Sequence, residues 1–296
     1  MIAAGDRVLI GLSGGKDSLS LLHVLVAFRA RLAPSARFEI ACATVDPESD
    51  SFDPSPLKHY LADLGVTYHY LDQSIIALAK ERMQGDSLCA FCARMKRGAL
   101  YSCCREHGYN KLALGQHLDD NVESFLMSSF HNGRLSVMKA CYTNDAGDVT
   151  VIRPLVYVRE KALRDFAYGV RLPVVEDNCP GCFEQPKERR AIKKLLAKEE
   201  LTFPDIYSAL ARTLSPLLED GVLTEVYASQ KRRLAFTKDR ATKAAYYGSG
   251  TSNASRAAGP VDEALAPYSD DDLLVELERR RRRRMTSVTG WQKSGN

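Results

Sequence analysis

The string Ser13-Gly14-Gly15-Lys16-Asp17-Ser18 follows an apolar run, Val8-Leu9-Ile10, and precedes a stretch with Leu19, Leu22 and Val26 on one helical face. A strand, a glycine-rich turn and a helix in that order start a βαβ unit, which restricts the chain to a sheet with crossover connections. Glycines let backbone N–H groups crowd around a phosphate, and the helix N-terminus adds the positive end of its dipole. Ser13 and Ser18 add hydroxyls, Lys16 a point charge, and Asp17 stands where a helix cap or a magnesium contact is wanted. A Walker A loop requires Ser or Thr after Gly-Lys and a glycine five residues before that lysine's own glycine. Here Asp17 and Ile10 occupy those positions, and no G-x-G-x-x-G is present, so neither common nucleotide loop applies.

The same alternation continues. Strands are expected from Phe38 to Val45, Thr67 to Leu71, Lys111 to Gly115 and within Val149 to Val158. Helices are expected from Pro54 to Leu64, Cys92 to His107, Leu118 to Phe130 and from Arg159 onward. A short strand from Leu172 to Val175 and helices over 186–199 and 203–218 follow. This order predicts an α/β fold, a doubly wound and mostly parallel sheet with helices on both faces. From about Ala235 the periodicity decays into turn and linker chemistry, so a folded domain over 1–220 and a mostly disordered basic tail over 221–296 are expected. The charge divides accordingly. Residues 1–230 hold 27 Lys and Arg against 29 Asp and Glu, whereas 231–296 hold 14 against 8, including six consecutive arginines, Arg279 to Arg284. Such a block stays solvated or touches RNA. No apolar run approaches the ~20 residues that span a bilayer. The N-terminus lacks the pattern of a secretory leader, so a cytoplasmic protein away from the membrane is expected.

In that compartment paired cysteines point to metal or redox chemistry rather than disulfides. Of the eight cysteines, Cys89 and Cys92 form one C-x-x-C and Cys179 and Cys182 another. Between the pairs lie 86 residues, far more than in a compact zinc ribbon, yet a fold can join them into a four-thiolate zinc site. On residue types alone, zinc and an iron–sulfur cluster both remain open. Cys42, Cys103, Cys104 and Cys141 read as buried apolar thiols. Basic residues follow each pair: Arg94, Lys96 and Arg97, then Lys187, Arg189, Arg190, Lys193, Lys194 and Lys198. If the pairs meet, both groups converge and would draw a phosphate backbone.

The loop string resembles the signature of the N-type ATP pyrophosphatases, or PP-loop proteins. Gly115-Gln116-His117-Leu118-Asp119-Asp120, followed by Glu123-Ser124, resembles the second signature of their tRNA-modifying members, G-H-x-x-D-D-x-x-E-T, with Gln116 at the usual histidine. Together with "LCAFCARMKRGALYSCC", "VIRPLVYVREKAL" and "NCPGCFEQPKERRAIKKLL", the chain from Gly5 to about residue 220 is similar to the tRNA 2-thiocytidine synthetase (TtcA-like) family. That family's leading helical segment is mostly absent. The resemblance implies ATP-dependent thiolation of cytidine 32 of tRNA by a homodimer. ATP would lie on Ser13, Gly14, Gly15, Lys16, Asp17, Ser18, Asp46 and Gly115, with Lys16, Asp17, Asp119 and Asp120 catalytic around ATP and Mg²⁺. An oxygen-sensitive [4Fe–4S] cluster would sit on Cys89, Cys92 and Cys182, with Cys179 the less favoured match. Three thiolates leave one iron open for sulfide, delivered by a donor such as a cysteine desulfurase. Arg94, Lys96, Arg97, Arg189 and Arg190 would contact the tRNA, whose target base must leave its stack. Three alternatives stand beside this reading: thiolation of a tRNA uridine, a PP-loop ligase attaching nitrogen, and a zinc-stabilised PP-loop RNA-binding protein without turnover.

Overall fold

Strand β1 (Arg7–Gly11) sends successive side chains to opposite faces. Val8 and Ile10, with Leu12 beyond the strand, pack against Leu19, Leu21, Leu22 and Leu25 of α1 (Lys16–Arg31), Leu57 and Leu61 of α2 (Ser55–Asp63) and Leu163 of α5 (Glu160–Gly169). On the other face Leu9 packs with Ala41, Ala43 and Val45 of β2 (Glu39–Asp46) against Leu100, Cys103 and Cys104 of α3 (Leu88–His107). Burial on both faces explains why β1 reads as a continuous apolar run rather than an alternating one. A computed structural model describes residues 1–47, 53–75, 78–79, 88–175 and 187–218, with the side chains of residues 88, 89 and 187 outside the description.

The sheet has six strands in the order β3-β2-β1-β4-β6-β5, where β3 is Thr67–Asp72, β4 Lys111–Ala113, β5 Cys141–Thr143 and β6 Thr150–Ile152. All neighbours are parallel except β5 and β6. The fold class expected from the alternation is therefore the one observed. The chain leaves β1 for β2 and β3 on one side, then returns to place β4 on the other. That reversal opens a crevice at the carboxyl ends of β1 and β4, where such sheets bind ligands. The helix α4 (Leu118–Asn132) starts there. Helices α6 (Lys187–Thr202) and α7 (Ile206–Leu214) follow. By compactness one unit comprises Met1–Ile192 and Tyr207–Leu223, and a second comprises Lys193–Ile206 and Thr224–Asn296. No helix among the described residues is long and apolar enough to cross a membrane.

Several local expectations are corrected. Leu172 to Val175 joins no ladder among the described residues. Leu172, Val174 and Val175 instead cover the α1 side of the core, and Val175 N donates to Gly14 O at 3.0 Å. The stretch after Val149 stays in the sheet only to Ile152, because Pro154 has no N–H to give a ladder and the chain turns. The edge strand β5 went unanticipated, three residues being too few to show a period. Helix α3 begins at Leu88, so positions 89 and 92 are helical. The predicted tail, Cys179 and Cys182 lie outside the described residues.

Candidate active site

The glycines of the loop answer to space. Gly14 has φ 87°, and a Cβ there would lie 2.9 Å from the Val175 Cβ. Gly115, beyond β4, lies so close to the loop that a Cβ would meet Ser18 N and Cα at 3.2 Å. Those atoms are backbone and cannot swing aside. Gly115→Ala is expected to push back the first turn of α1 and raise the KM for ATP at least about tenfold, measured by steady-state kinetics. Gly15 is the extended N-cap of α1 and no side chain caps this helix, so Asp17 is a first-turn residue rather than the cap. Ser13 Oγ and Ser18 Oγ lie 3.2 Å apart, and Ser18 Oγ donates to Gly15 O at 3.0 Å, which sets the loop's curvature.

Carboxylates surround this cradle unevenly. Lys16 Nζ reaches Glu160 Oε1 at 3.0 Å and Asp17 Oδ2 at 3.2 Å. Burial works to lower the Lys16 ammonium, but Glu160 and Asp17 outweigh it and the net shift is upward. Asp119 is saturated: Glu160 N donates to Oδ2 at 2.7 Å and Arg159 Nε reaches both oxygens at 3.2 and 3.3 Å. Asp120 closes a capping box, accepting from His117 N at 3.1 Å while Asp120 N donates to His117 Nδ1 at 3.3 Å. Asp17 differs from both. Its Oδ1 is buried with no hydrogen-bond partner among the described residues. Burial pushes this carboxyl above its ordinary range, against the opposing pull of Lys16 and His117. A buried, orphaned, hard oxygen beside a phosphate cradle fits a magnesium ligand, so the donor set suits Mg²⁺ at Asp17.

The structure brings in residues that no local pattern assigned. Glu160 and Arg159 come from the string "VREKAL", anchored at α4 by Leu118 N donating to Val158 O at 2.9 Å. The Arg159 guanidinium also lies 3.3 Å from the centroid of the Tyr207 ring. Arg159→Ala leaves Asp119 with one donor fewer. It is expected to lower turnover about tenfold or more with the cooperative unfolding transition preserved, checked by single-turnover assay and calorimetry. Gln116 is not a missing histidine in effect: its Oε1 accepts from Arg153 Nε at 3.0 Å, serving a guanidinium that is 5% exposed. Burial, partly offset by Tyr142, lowers the Arg153 pKa. A neutral amide oxygen suits that buried cation, while the neighbouring His117 performs the capping.

The other expected residues divide. Asp46, at the end of β2, is 8% exposed and accepts from the Tyr70 hydroxyl. Arg189 turns inward, donating to Glu123 Oε2 and Ser124 Oγ at 3.2 Å each. Arg94, Arg97 and Arg190 are exposed and Lys96 is half-buried. The C-terminal end of α3 lies at the start of β1, where Arg7 Nη1 donates to His107 O at 2.8 Å. Its N-terminal end therefore lies towards the opposite edge of the sheet, the edge of the glycine loop. Positions 89 and 92 are one turn apart there, and Cys92 is half-buried on the α3 side of the core. A helix N-terminus favours thiolate over thiol, which suits cysteines meant for iron. Cys182 and the side chain of Cys89 lie outside the described residues.

The model of the PP-loop domain family matches residues 3–199. The tRNA-cytidine(32) 2-sulfurtransferase of Geobacter sulfurreducens is 41% identical over 215 residues, covering 72% of this chain and 83% of that protein. That of Stenotrophomonas maltophilia is 37% identical over 237 residues, covering 78% and 76%. Among solved structures, the U34-tRNA thiolase NcsA from Methanococcus maripaludis with its [4Fe–4S] cluster superposes with a TM-score of 0.60 at 20% identity, over 74% of this chain and 73% of its own. At that identity the likeness speaks for the fold. The matched span, the two signatures and the crevice between β1 and β4 together place the chain in the tRNA-cytidine(32) 2-sulfurtransferase family of PP-loop proteins.

Proposed function

We propose that residues 1–220 form an ATP-dependent sulfurtransferase that replaces the C2 oxygen of cytidine 32 in tRNA with sulfur. What supports this is a phosphate cradle with an orphaned carboxylate oxygen at the carboxyl ends of the strands, and a helix whose N-terminal end, bearing Cys89 and Cys92 in its first two turns, points towards those same strand ends. The first-turn N–H groups of α1 and the Ser13 and Ser18 hydroxyls bind the phosphates, and Lys16 adds charge at the rim. Asp17 Oδ1 would hold Mg²⁺, an ion that when bound supplies positive charge against the pyrophosphate. Asp119 and Asp120 hold the start of α4 and, through it, Gly115 against the cradle. The cytosine C2 oxygen attacks the α-phosphorus, pyrophosphate leaves, and the base carries AMP on its former carbonyl oxygen. Sulfide then adds at C2 and AMP departs with that oxygen, so the exchange needs no net oxidant or reductant.

Cys89, Cys92 and Cys182 are the residues that would hold a [4Fe–4S] cluster, which supplies an open iron valence for sulfide. A desulfurase-type donor provides the sulfur as a persulfide, from which a thiol reductant releases sulfide as it is oxidised to a disulfide, and the chain works as a homodimer. Arg94, Arg97 and Arg190, which are exposed, and half-buried Lys96 would contact the tRNA backbone, and Arg189, tied to Glu123, orders α4 instead. The test is nucleoside analysis of tRNA from a deletion strain. Loss of 2-thiocytidine, restored by the wild-type chain, is the expected result, and persistence of that nucleoside overturns the assignment. Weakening of tRNA binding in the Arg94→Ala, Arg97→Ala double variant, with a salt slope reduced by about two, would separate phosphate contact from a merely wet helix face.

A further inference from the structure

The edge of the sheet opposite the glycine loop carries a second group of soft donors. His69 lies in β3, while Cys103 and His107 stand one turn apart in the last turns of α3. One nitrogen from each ring and the Cys103 Sγ all lie within 4.8 Å of one another. Residues four apart on a helix share a face, so the helical pair and the strand histidine converge from two elements. The two imidazoles are stacked, with centroids 4.2 Å apart at 24°. His69 Nε2 lies 2.9 Å from the Tyr109 hydroxyl. An aromatic stack alone does not require a thiol beside it.

We propose that His69, Cys103 and His107 bind a borderline-soft divalent transition ion of the zinc type, with water completing a tetrahedral site. Two imidazoles and a thiolate are donors that zinc accepts, and an open fourth position is common in such sites. Metal–ligand lengths near 2.0–2.3 Å place tetrahedral donors about 3.3–3.7 Å apart, so this group must close by about 1 Å. His107 is exposed and His69 half-buried, so both rings can turn inward while buried Cys103 stays in place. Burial, with Glu106 adding to it, pushes the Cys103 thiol up to about 11. The thiol is therefore protonated without metal, and binding releases that proton. Burial and then His107 depress the His69 imidazolium, favouring the neutral ring. In the tautomer whose Nε2–H donates to Tyr109, the other nitrogen keeps the lone pair a metal needs.

The surrounding charges permit a cation. His107 ends α3, where the helix dipole is negative. Arg7 is the nearby positive charge, and its guanidinium is committed to Glu39 at 2.7 Å and to the carbonyls of His107 and Gly108. The site is separate from the sulfur chemistry, since Cys92 and Cys103 lie eleven residues apart along α3, about 16 Å. An ion here would tie the edge strand β3 to the far end of the helix that carries Cys89 and Cys92.

The test uses the full chain with its cluster in place. Wild type, His69→Ala and His107→Ala are loaded with Zn²⁺ and passed over a weak chelator, and zinc and iron are then counted against protein. Wild type should retain one equivalent of zinc more than either variant, with iron equal in all three, so that zinc held at other cysteines cancels. With Co²⁺ as probe, the difference spectrum between wild type and His107→Ala should contain a thiolate-to-cobalt charge-transfer band. Equal zinc in wild type and either variant, or a cobalt spectrum without that band, overturns the site. Iron content reports separately on the sulfur site, so loss of the proposed thiolation activity would leave this result untouched.

Discussion

Asp17→Asn is expected to reduce adenylation on the order of 10²- to 10³-fold while leaving the protein as stable as before, or more so. The amide keeps the shape of the side chain but removes the negative charge that a magnesium ion needs. The stability half follows from linkage. Burial raises the Asp17 carboxyl in the folded protein, so at pH values between its unfolded and folded pKa the folded state binds the extra proton. Stability conferred by that proton is lost as pH rises through the folded pKa, and at neutral pH the ionised group is a cost. A neutral amide escapes it, and Lys16 keeps Glu160 as partner. Pyrophosphate release and thermal unfolding at neutral pH, measured on the same preparation, check both halves. Turnover within about threefold of wild type, or a large drop in Tm, would assign Asp17 a structural role instead.

Cys182→Ala and Cys92→Ala are each expected to give colourless protein with no detectable thiolation, but with ATP binding retained. A cluster that relies on three thiolates does not survive the loss of one, whereas the cradle Ser13–Ser18 contains no cysteine. Cys42→Ala is the control. Cys42 is fully buried in β2 among the core side chains, so it is a packing residue out of reach of iron. Its loss should cost about 1 kcal/mol and spare both colour and activity. Iron and sulfide analysis after anaerobic purification, with nucleotide binding by calorimetry, distinguishes these outcomes. A brown, active Cys182→Ala protein would remove that residue from the ligand set.

Much of the architecture was legible along the chain because its signals are local. Apolar runs located β1, between glycines, and β2, before Pro47, to within a residue, and 3.6-residue periodicity located α1, α2 and α4. The glycine loop was legible for a similar reason: positive φ and close backbone approach each demand glycine at a particular position. Failures fell where the deciding partner is distant. Leu172 to Val175 has a strand's composition, but its backbone is satisfied at Gly14 and its side chains at α1. β5 is three residues paired, among the described residues, with β6 alone.

The site divides along the same line. By itself the sequence determined that this chain would build a phosphate cradle before a helix, place two aspartates at a second helix start, and present paired thiols. Tertiary structure alone decided which of those groups remain available. It spent Asp119 on Arg159 and Glu160, turned Arg189 onto Glu123, gave Gln116 a buried arginine, and left Asp17 Oδ1 without a hydrogen-bond partner among the described residues. It also gathered His69, Cys103 and His107, which no motif links. The physical reason is range. Backbone conformation follows from neighbours within a few residues, whereas the charge state and coordination of a side chain depend on whatever the crossover connections carry to it.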